Sequence, residues 1–246
     1  MPTLSLDGDA EASRDRVDEQ TLALHLRAHA EWLETAAAAG RCCDLAGANL
    51  TYGGFLEADM RQARLAGARL VKANLRESNF AGADLRRANL EGASMVNIDL
   101  SGACLVEANL HRAVSPGADF TDAEADEARL SSANLLSAVF LRTRLCGADL
   151  RDVNLAGGVL RDSVLVAADL SDAKLMMADL TGANLRGANL SRAVLFGAVL
   201  DDCDLSDADL STAVGVTAAQ LERAFANAAT RLPLELDGCV MREATT

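Results

Sequence analysis

Few residues in this chain have the type and spacing to do chemistry. His25 and His29 stand four apart, the spacing that puts two imidazoles on one helix face where they could share a metal ion, but no third ligand lies nearby in the sequence. Six cysteines, Cys42, Cys43, Cys104, Cys146, Cys203 and Cys239, show neither C-x-x-C spacing nor the pattern of a disulfide framework. The third histidine, His111, sits in no Ser/His/Asp or Cys/His arrangement, and the glycines form no G-x-x-x-x-G-K phosphate loop. Carboxylates cluster at Asp119, Asp122 and Asp126 and again at Asp201, Asp202 and Asp209, but paired carboxylates mean little on so acidic a chain. Catalytic, metal and cofactor sites are therefore all expected to be absent, and the acidic clusters stand only as candidate binding patches.

What positions these residues is a five-residue period. From Leu45 to Leu210 every fifth residue is large and apolar except Ser115 and Ala125; leucine takes 26 of the 34 places. Alanine holds 25 of the places two residues earlier, and Asn or Asp holds 19 of those one residue earlier. Two inward side chains separated by two residues fit extended backbone, but an odd period forces one turn per repeat. A turn always made the same way winds the chain into a solenoid, stable only as an array because one repeat cannot bury its own apolar face. Cys43 and Cys203 fall where the repeat puts its inward alanine and read as small core residues.

The A-[DN]-L-x-x pattern, as in "ADLTGANLRGANL" at 178 to 190, resembles the pentapeptide-repeat family. That resemblance implies an all-β solenoid, a right-handed quadrilateral parallel β-helix of about eight coils, four repeats to the coil. It also implies helical caps at both ends, some relatives dimerising through the C-terminal one. The expected organisation is a disordered tail over 1–15, a helical cap over 16–42, the β-helix over 43–214, and a capping helix with a tail over 215–246. Leu22, Leu26, His29 and Leu33 fall at helical spacing in the first cap, beside Trp32. In the second, Thr217 and Gln220 make a capping box before a stripe of Leu221, Ala224, Phe225 and Ala228.

With a packed interior, function must come from the outside. The chain carries a net charge of −13, no apolar run long enough for a membrane span, and no secretory signal pattern, so a cytoplasmic protein is expected. The resemblance implies two kinds of partner. One is an unidentified protein held by a plain scaffold. The alternative is DNA gyrase or topoisomerase IV, bound by mimicry of DNA and protected from quinolones or other poisons; nucleic acid itself is not expected to bind. The array from 44 to 213 holds 24 acids and 16 bases, and ten of the acids are motif Asp residues, so the mimicry is diluted. Four repeats per coil would collect Leu56, Val96, Val114, Pro116, Leu136, Met176, Met177, Val194 and Phe196 on one side. Leu136, Met176, Met177, Val194 and Phe196, with Leu221 and Phe225 of the cap, are the candidate interface, expected to serve a homodimer.

Around Ser115 and Ala125 the small residues, with Pro116 removing a backbone donor, predict a bent or loosened coil still in register. Leu185→Ala is expected to cost about 2–5 kcal/mol, the range for a buried leucine, whereas Ser115→Leu is expected to be tolerated or stabilising. Thermal unfolding of the two variants checks this; equal effects would mean that Ser115 does not point inward.

Overall fold

The computed structural model describes residues 16–236, 238–239 and 241–243. The expected disordered tail over 1–15 lies outside the described residues. Through the array, parallel bridges join residues twenty apart: Asp44 to Arg64, Arg64 to Asp84, and so on to Val194 and Val214. Four five-residue repeats therefore make one coil, and four ladders run up a four-sided rod. The sides are named here by their first inward residues, Leu45, Leu50, Phe55 and Met60.

The repeat around Leu150 shows why the period is five. Asp149 donates its amide to Ala128 O in the coil before (2.9 Å), and Leu150 and Asp152 donate theirs to Asp169 O (2.8 Å) and Ser171 O (2.9 Å) in the coil after. Val153 closes the turn on Leu150 O (3.2 Å). The Arg151 amide points away from every carbonyl, and the Asp149 side chain accepts it (3.3 Å). All five donors of the repeat are satisfied, as burial requires. Every Asn or Asp in this position does the same, which fixes the reason for the motif's polar residue.

From Gly47 to Asp207 the second residue after each central one has a left-handed backbone, whether glycine (Gly197, φ 67°) or not (Arg87, φ 57°; Met177, φ 58°). Positive φ at the third residue alone marks a type II turn. It costs a non-glycine residue roughly 1–2 kcal/mol. Most turn residues also donate to the next coil, as Met177 N does to Phe196 O (2.9 Å), and the central residue before that turn, Leu175, is fully buried. Burial of one leucine, worth about 1.5–3 kcal/mol, offsets the strain.

The loosened coil expected near Ser115 is not found. Val114 and Asp119 keep their bridges to Asn134 and Val139, and Ser115 is fully buried with its N–H on Asn134 O (2.8 Å). Pro116 occupies the one position whose amide never enters the ladder. Its predecessor in the acceptor position, Val114, has no side-chain oxygen, so the missing donor and the missing acceptor cancel. Beside the small residues, Phe120 and Phe140 stack at 4.4 Å between ring centroids.

At the N-terminal end, helix α1 (Glu19–Glu34) starts on Asp18, which accepts the Thr21 amide at 2.9 Å. It buries Leu22 and His29 and half-buries Leu26, Leu33 and Trp32. Gly40 lets the chain leave the helix: an added Cβ would come within 2.6 Å of Trp32 N. Arg16 pairs with Asn49, so the chain before the helix also closes part of the ladder.

The C-terminal end departs from expectation. The capping box at Thr217 and Gln220 is present, but its helix α2 (Ala218–Leu221) is a single turn. Phe225 and Ala226 form strand β1, which pairs in parallel with β2 (Arg242–Glu243), and a 3-10 turn spans Leu234–Leu236. Phe225 and Arg231 continue two ladders beyond Asp204 and Asp209. The top coil leaves unpaired amides and carbonyls. A long helix would ignore them, whereas this path satisfies them through Phe225 N to Cys203 O (2.7 Å) and Leu205 N to Phe225 O (2.8 Å). Where the helix turn intervenes, the Gln220 side-chain amide donates to Ala198 O (2.7 Å) and Leu195 O (3.3 Å) in place of backbone. The expected stripe is accordingly split: Leu221 and Ala224 are buried, Phe225 is half-buried and Ala228 is exposed.

His29 is the polar pin of the first cap. Its Nδ1 accepts the Cys43 amide (3.0 Å), its Nε2 donates to Arg61 O (3.0 Å), and Trp32 stacks on it at 5.5 Å. The Cys43 contact needs the neutral ring, since a protonated Nδ1 cannot accept, and burial holds the pKa below the ordinary value although the Arg61 carbonyl opposes this. A depressed histidine pKa contributes stability that is present above the unfolded value, near 6.5, and lost as pH falls below it. Trp32, the only tryptophan, reports on the helix. Its fluorescence is expected to change as pH falls below about 6.5, with the repeat array intact by circular dichroism, and His29→Ala should abolish that transition. A flat fluorescence profile down to pH 4 in the unmodified protein would refute the pin.

Candidate interaction surface

The repeat places the residues singled out by sequence on definite sides of the rod. Leu136, Met176, Met177, Val194 and Phe196 all lie on the Phe55 side. Leu136, Met177 and Phe196 are 44%, 72% and 56% exposed, and Met176 and Val194 are half-buried. Their shape comes from the turns. Met177 lies along the rod over Gly197, where an added Cβ would come within 2.5 Å of its Sδ; the Phe196 ring lies on Gly215 in the same way, at 2.6 Å. The two long side chains thus form a continuous apolar sheet over glycine backbone.

Leu221 and Phe225 do not join it. Leu221 is fully buried under the last coil, and Phe225 sits on the Leu45 ladder with the Arg242 guanidinium over its ring at 4.1 Å. Val214, overlooked in the sequence, does join: it pairs with Val194 and is 47% exposed. Its signal was one further repeat in "AVGV", past the last leucine of the register.

From Ser94 to Gly197 the Phe55 side carries a single charge, Lys174, and that ammonium leans toward Asp152 on the neighbouring side (3.7 Å). The exposed Val114, half-buried Val96 and Pro116, and small Ala156 fill the same side.

The candidate acidic residues do not converge on one patch. Asp119, Asp122, Asp201 and Asp202 stand on the Met60 side, Asp126 on the Leu45 side and Asp209 on the Leu50 side. Five of them meet arginine. Asp122 is held by Arg142 through two contacts of 2.7 Å, and that guanidinium keeps its carboxyl below the usual range. Asp126 is partly buried, which opposes ionisation, but Arg144 (2.8 Å) and the Cys146 amide (2.8 Å) prevail and lower its pKa. Asp201 pairs with Arg223 (2.5 Å), Asp202 with Arg242 (2.5 Å) and Asp209 with Arg231 (2.8 Å). Asp119 accepts the Thr121 amide at 2.8 Å and serves its turn. Exposed pairs of this kind add little stability, yet they neutralise most of the charge the clusters would offer a basic partner.

The residues with chemical potential are spent on structure. His25 Nδ1 donates to Thr21 O (2.9 Å) within its helix, and His111 Nδ1 meets Ser131 O (2.8 Å). Cys43 and Cys203 are buried, and burial pushes both thiols up to about 12. Cys203 Sγ donates to Leu180 O (2.9 Å). Among the described residues, no group of three or more His, Cys, Asp or Glu is placed to hold a metal ion, and no helix is long and apolar enough to cross a membrane.

A family model for pentapeptide repeats matches in eight copies over residues 43–82, 78–114, 117–152, 147–178 and 175–211. Among solved structures the chain is similar to HetL, a pentapeptide repeat protein involved in heterocyst differentiation regulation from the cyanobacterium Nostoc sp. strain PCC 7120. The two are 32% identical over 83% of this chain and 90% of that one, with a TM-score of 0.39. It is also similar to Rfr23 from the cyanobacterium Cyanothece 51142, at 34% identity over 40% of this chain and 63% of that one, TM-score 0.34. QnrB1, a plasmid-mediated fluoroquinolone resistance protein, is 17% identical over 72% of this chain and 91% of that one, TM-score 0.33. No curated protein sequence matches. With the motif read through most of its length and matched throughout the array, the chain belongs to the pentapeptide-repeat family, whose members form right-handed quadrilateral β-helices.

Proposed function

We propose that this protein is a non-catalytic interaction scaffold: a rod of about eight coils, closed at both ends, that binds protein through the Phe55 side. The carrying observation is the contrast between sides. The Phe55 side presents Val114, Leu136, Met177, Phe196 and Val214 exposed, with Lys174 the one charge from Ser94 to Gly197. Exposed apolar area of this continuity is uncommon on soluble monomers and is the kind of surface that association covers. Aromatic and methionine side chains at its centre suit an interface core. HetL is described as involved in regulation of differentiation, a role that fits a scaffold.

One observation favours a second reading, a gyrase or topoisomerase IV binder. From Asp99 to Asp202 the Met60 side carries Asp99, Asp119, Asp122, Asp162, Asp179, Asp201 and Asp202 against only Arg142 and Arg161. An acidic strip can imitate a phosphate backbone toward a basic groove. Four of those seven aspartates are ion-paired, to Arg142, Arg161, Arg223 and Arg242, which leaves the strip weaker than its composition.

Affinity capture with three baits separates the readings. The unmodified chain is compared with Leu136→Lys/Met177→Lys on the apolar side and with Asp162→Lys on the acidic side, beside a gyrase supercoiling titration with and without a fluoroquinolone. The scaffold reading expects captured proteins to be lost with the apolar-side bait and kept with the acidic-side bait, and no effect on gyrase at micromolar protein. The reverse pattern, or inhibition or protection of gyrase, would overturn it in favour of the mimic.

A further inference from the structure

We propose that the first occupant of the Phe55 side is a second copy of this chain, laid antiparallel with the twofold axis crossing the side at Ala156. This rests on the reading of that side as an interaction surface and names its partner.

Charge selects the copy and the side. Any second copy carries the same net charge of −13, and contact through the Met60 side would set aspartate against aspartate. The Leu45 side brings Glu124, Asp126 and Glu127 into the same conflict. The Phe55 side offers two such chains a contact free of like-charge repulsion, with Lys174 directed away toward Asp152. Like charges set opposite each other cost several kcal/mol, so this side is preferred over those two.

Spacing and side-chain size then select the orientation. Rungs on one side of the rod are about 4.8 Å apart, and a second copy matches that repeat at every rung. For two faces related by an axis along the strand direction, each column meets itself with the rung order reversed. In the column following the central residue the sequence runs Pro116, Leu136, Ala156, Met176, Phe196. An axis at Ala156 opposes Phe196 to Pro116 and Met176 to Leu136, with the smallest residue facing itself. In the next column the prominent Met177 opposes Ser137, and Gly197 opposes Gly117. In the column before, Val194 opposes Val114, and Lys174 opposes Asn134. The pairs at Phe196, Met176 and Val194 are apolar with apolar, Met177 meets a small residue, Lys174 meets an amide, and no charge meets a charge. A parallel pairing, by an axis along the rod, would set each rung against its own copy, bringing both Phe196 rings to one level and both Lys174 charges to another. Twofold contacts in which residue i meets j and j meets i are the commonest way soluble chains assemble.

The pairing is tested by charge complementation. Leu136→Glu and Met176→Lys each place on the surface a kind of residue that other repeats already carry there, Glu91 and Arg151, so both variants should fold, as circular dichroism checks. Sedimentation at tens of micromolar should show a dimer for the unmodified chain. Either variant alone should dimerise about tenfold more weakly or worse, because each buries an unpaired charge. Mixing the two should restore the dimer, since position 136 of one copy faces 176 of the other. Weakening without restoration on mixing would overturn the antiparallel register. Dimers indifferent to both changes would place the contact elsewhere on the rod, and a monomeric unmodified chain would overturn the self-pairing. In that last case the scaffold reading is judged separately by the capture experiment, which does not require a dimer.

Discussion

One backbone amide in five has nowhere to go in this fold, and the rest of the structure follows from how it is satisfied. Four of the five N–H groups in a repeat reach carbonyls in the coil below, the coil above or their own turn. The fifth, just after the central leucine, faces a side chain. Where that side chain is Asn or Asp the turn is closed by a hydrogen bond, as Asp149 closes it for Arg151. Closure at the same place each time keeps the turn in the same register, and equal turns stack four identical ladders. The leucine core and the separation of the four outer sides are consequences of that regularity.

Regularity also explains what was legible in advance. The period could be read because core packing imposes it on side-chain size, and size is visible in a sequence. The polar position was visible, but its purpose was not, since a turn acceptor and a surface acid look alike until the amide they serve is located. Pro116 misleads for the same reason: it appears to remove a ladder donor, but the donor at its position is never a ladder member. "TAAQLERAFANAAT" has genuine helical periodicity, and its capping box forms. After one turn the unpaired edge of the last coil captures the chain as a continuation of the ladders, at Phe225 and again at Arg231. Tertiary hydrogen-bonding demand overrides local preference there.

The surface is a different kind of object from the core. Any outward position tolerates charge, so the pattern of charges is free to vary, and sequence neighbours in an acidic run fall on different sides once the chain is wound. Asp119 and Asp126, seven apart, stand on adjacent sides. Residues twenty apart become neighbours instead, which is how Arg87 reaches Glu107 and Arg192 reaches Asp172 in bidentate pairs. Against this background of internally paired charge, a side left almost uncharged over several coils stands out as the feature that the fold alone does not demand.

The way the turn side chains lie carries an evolutionary consequence. Met177 covers Gly197, Asp162 covers Gly182 and Asn97 covers Gly117, each leaning onto the coil that follows, like shingles laid from one end of a roof. A shingle is thickened only if the one overlapping it swings aside. Replacing Gly197 by any larger residue puts a carbon within 2.5 Å of the Met177 sulfur, so growth at 197 asks the exposed Met177 side chain to move or to shorten. Where both positions are large, as at Arg87 and Glu107, the two side chains lie beside each other and pair instead. Substitutions in the turn column are therefore coupled at intervals of one coil.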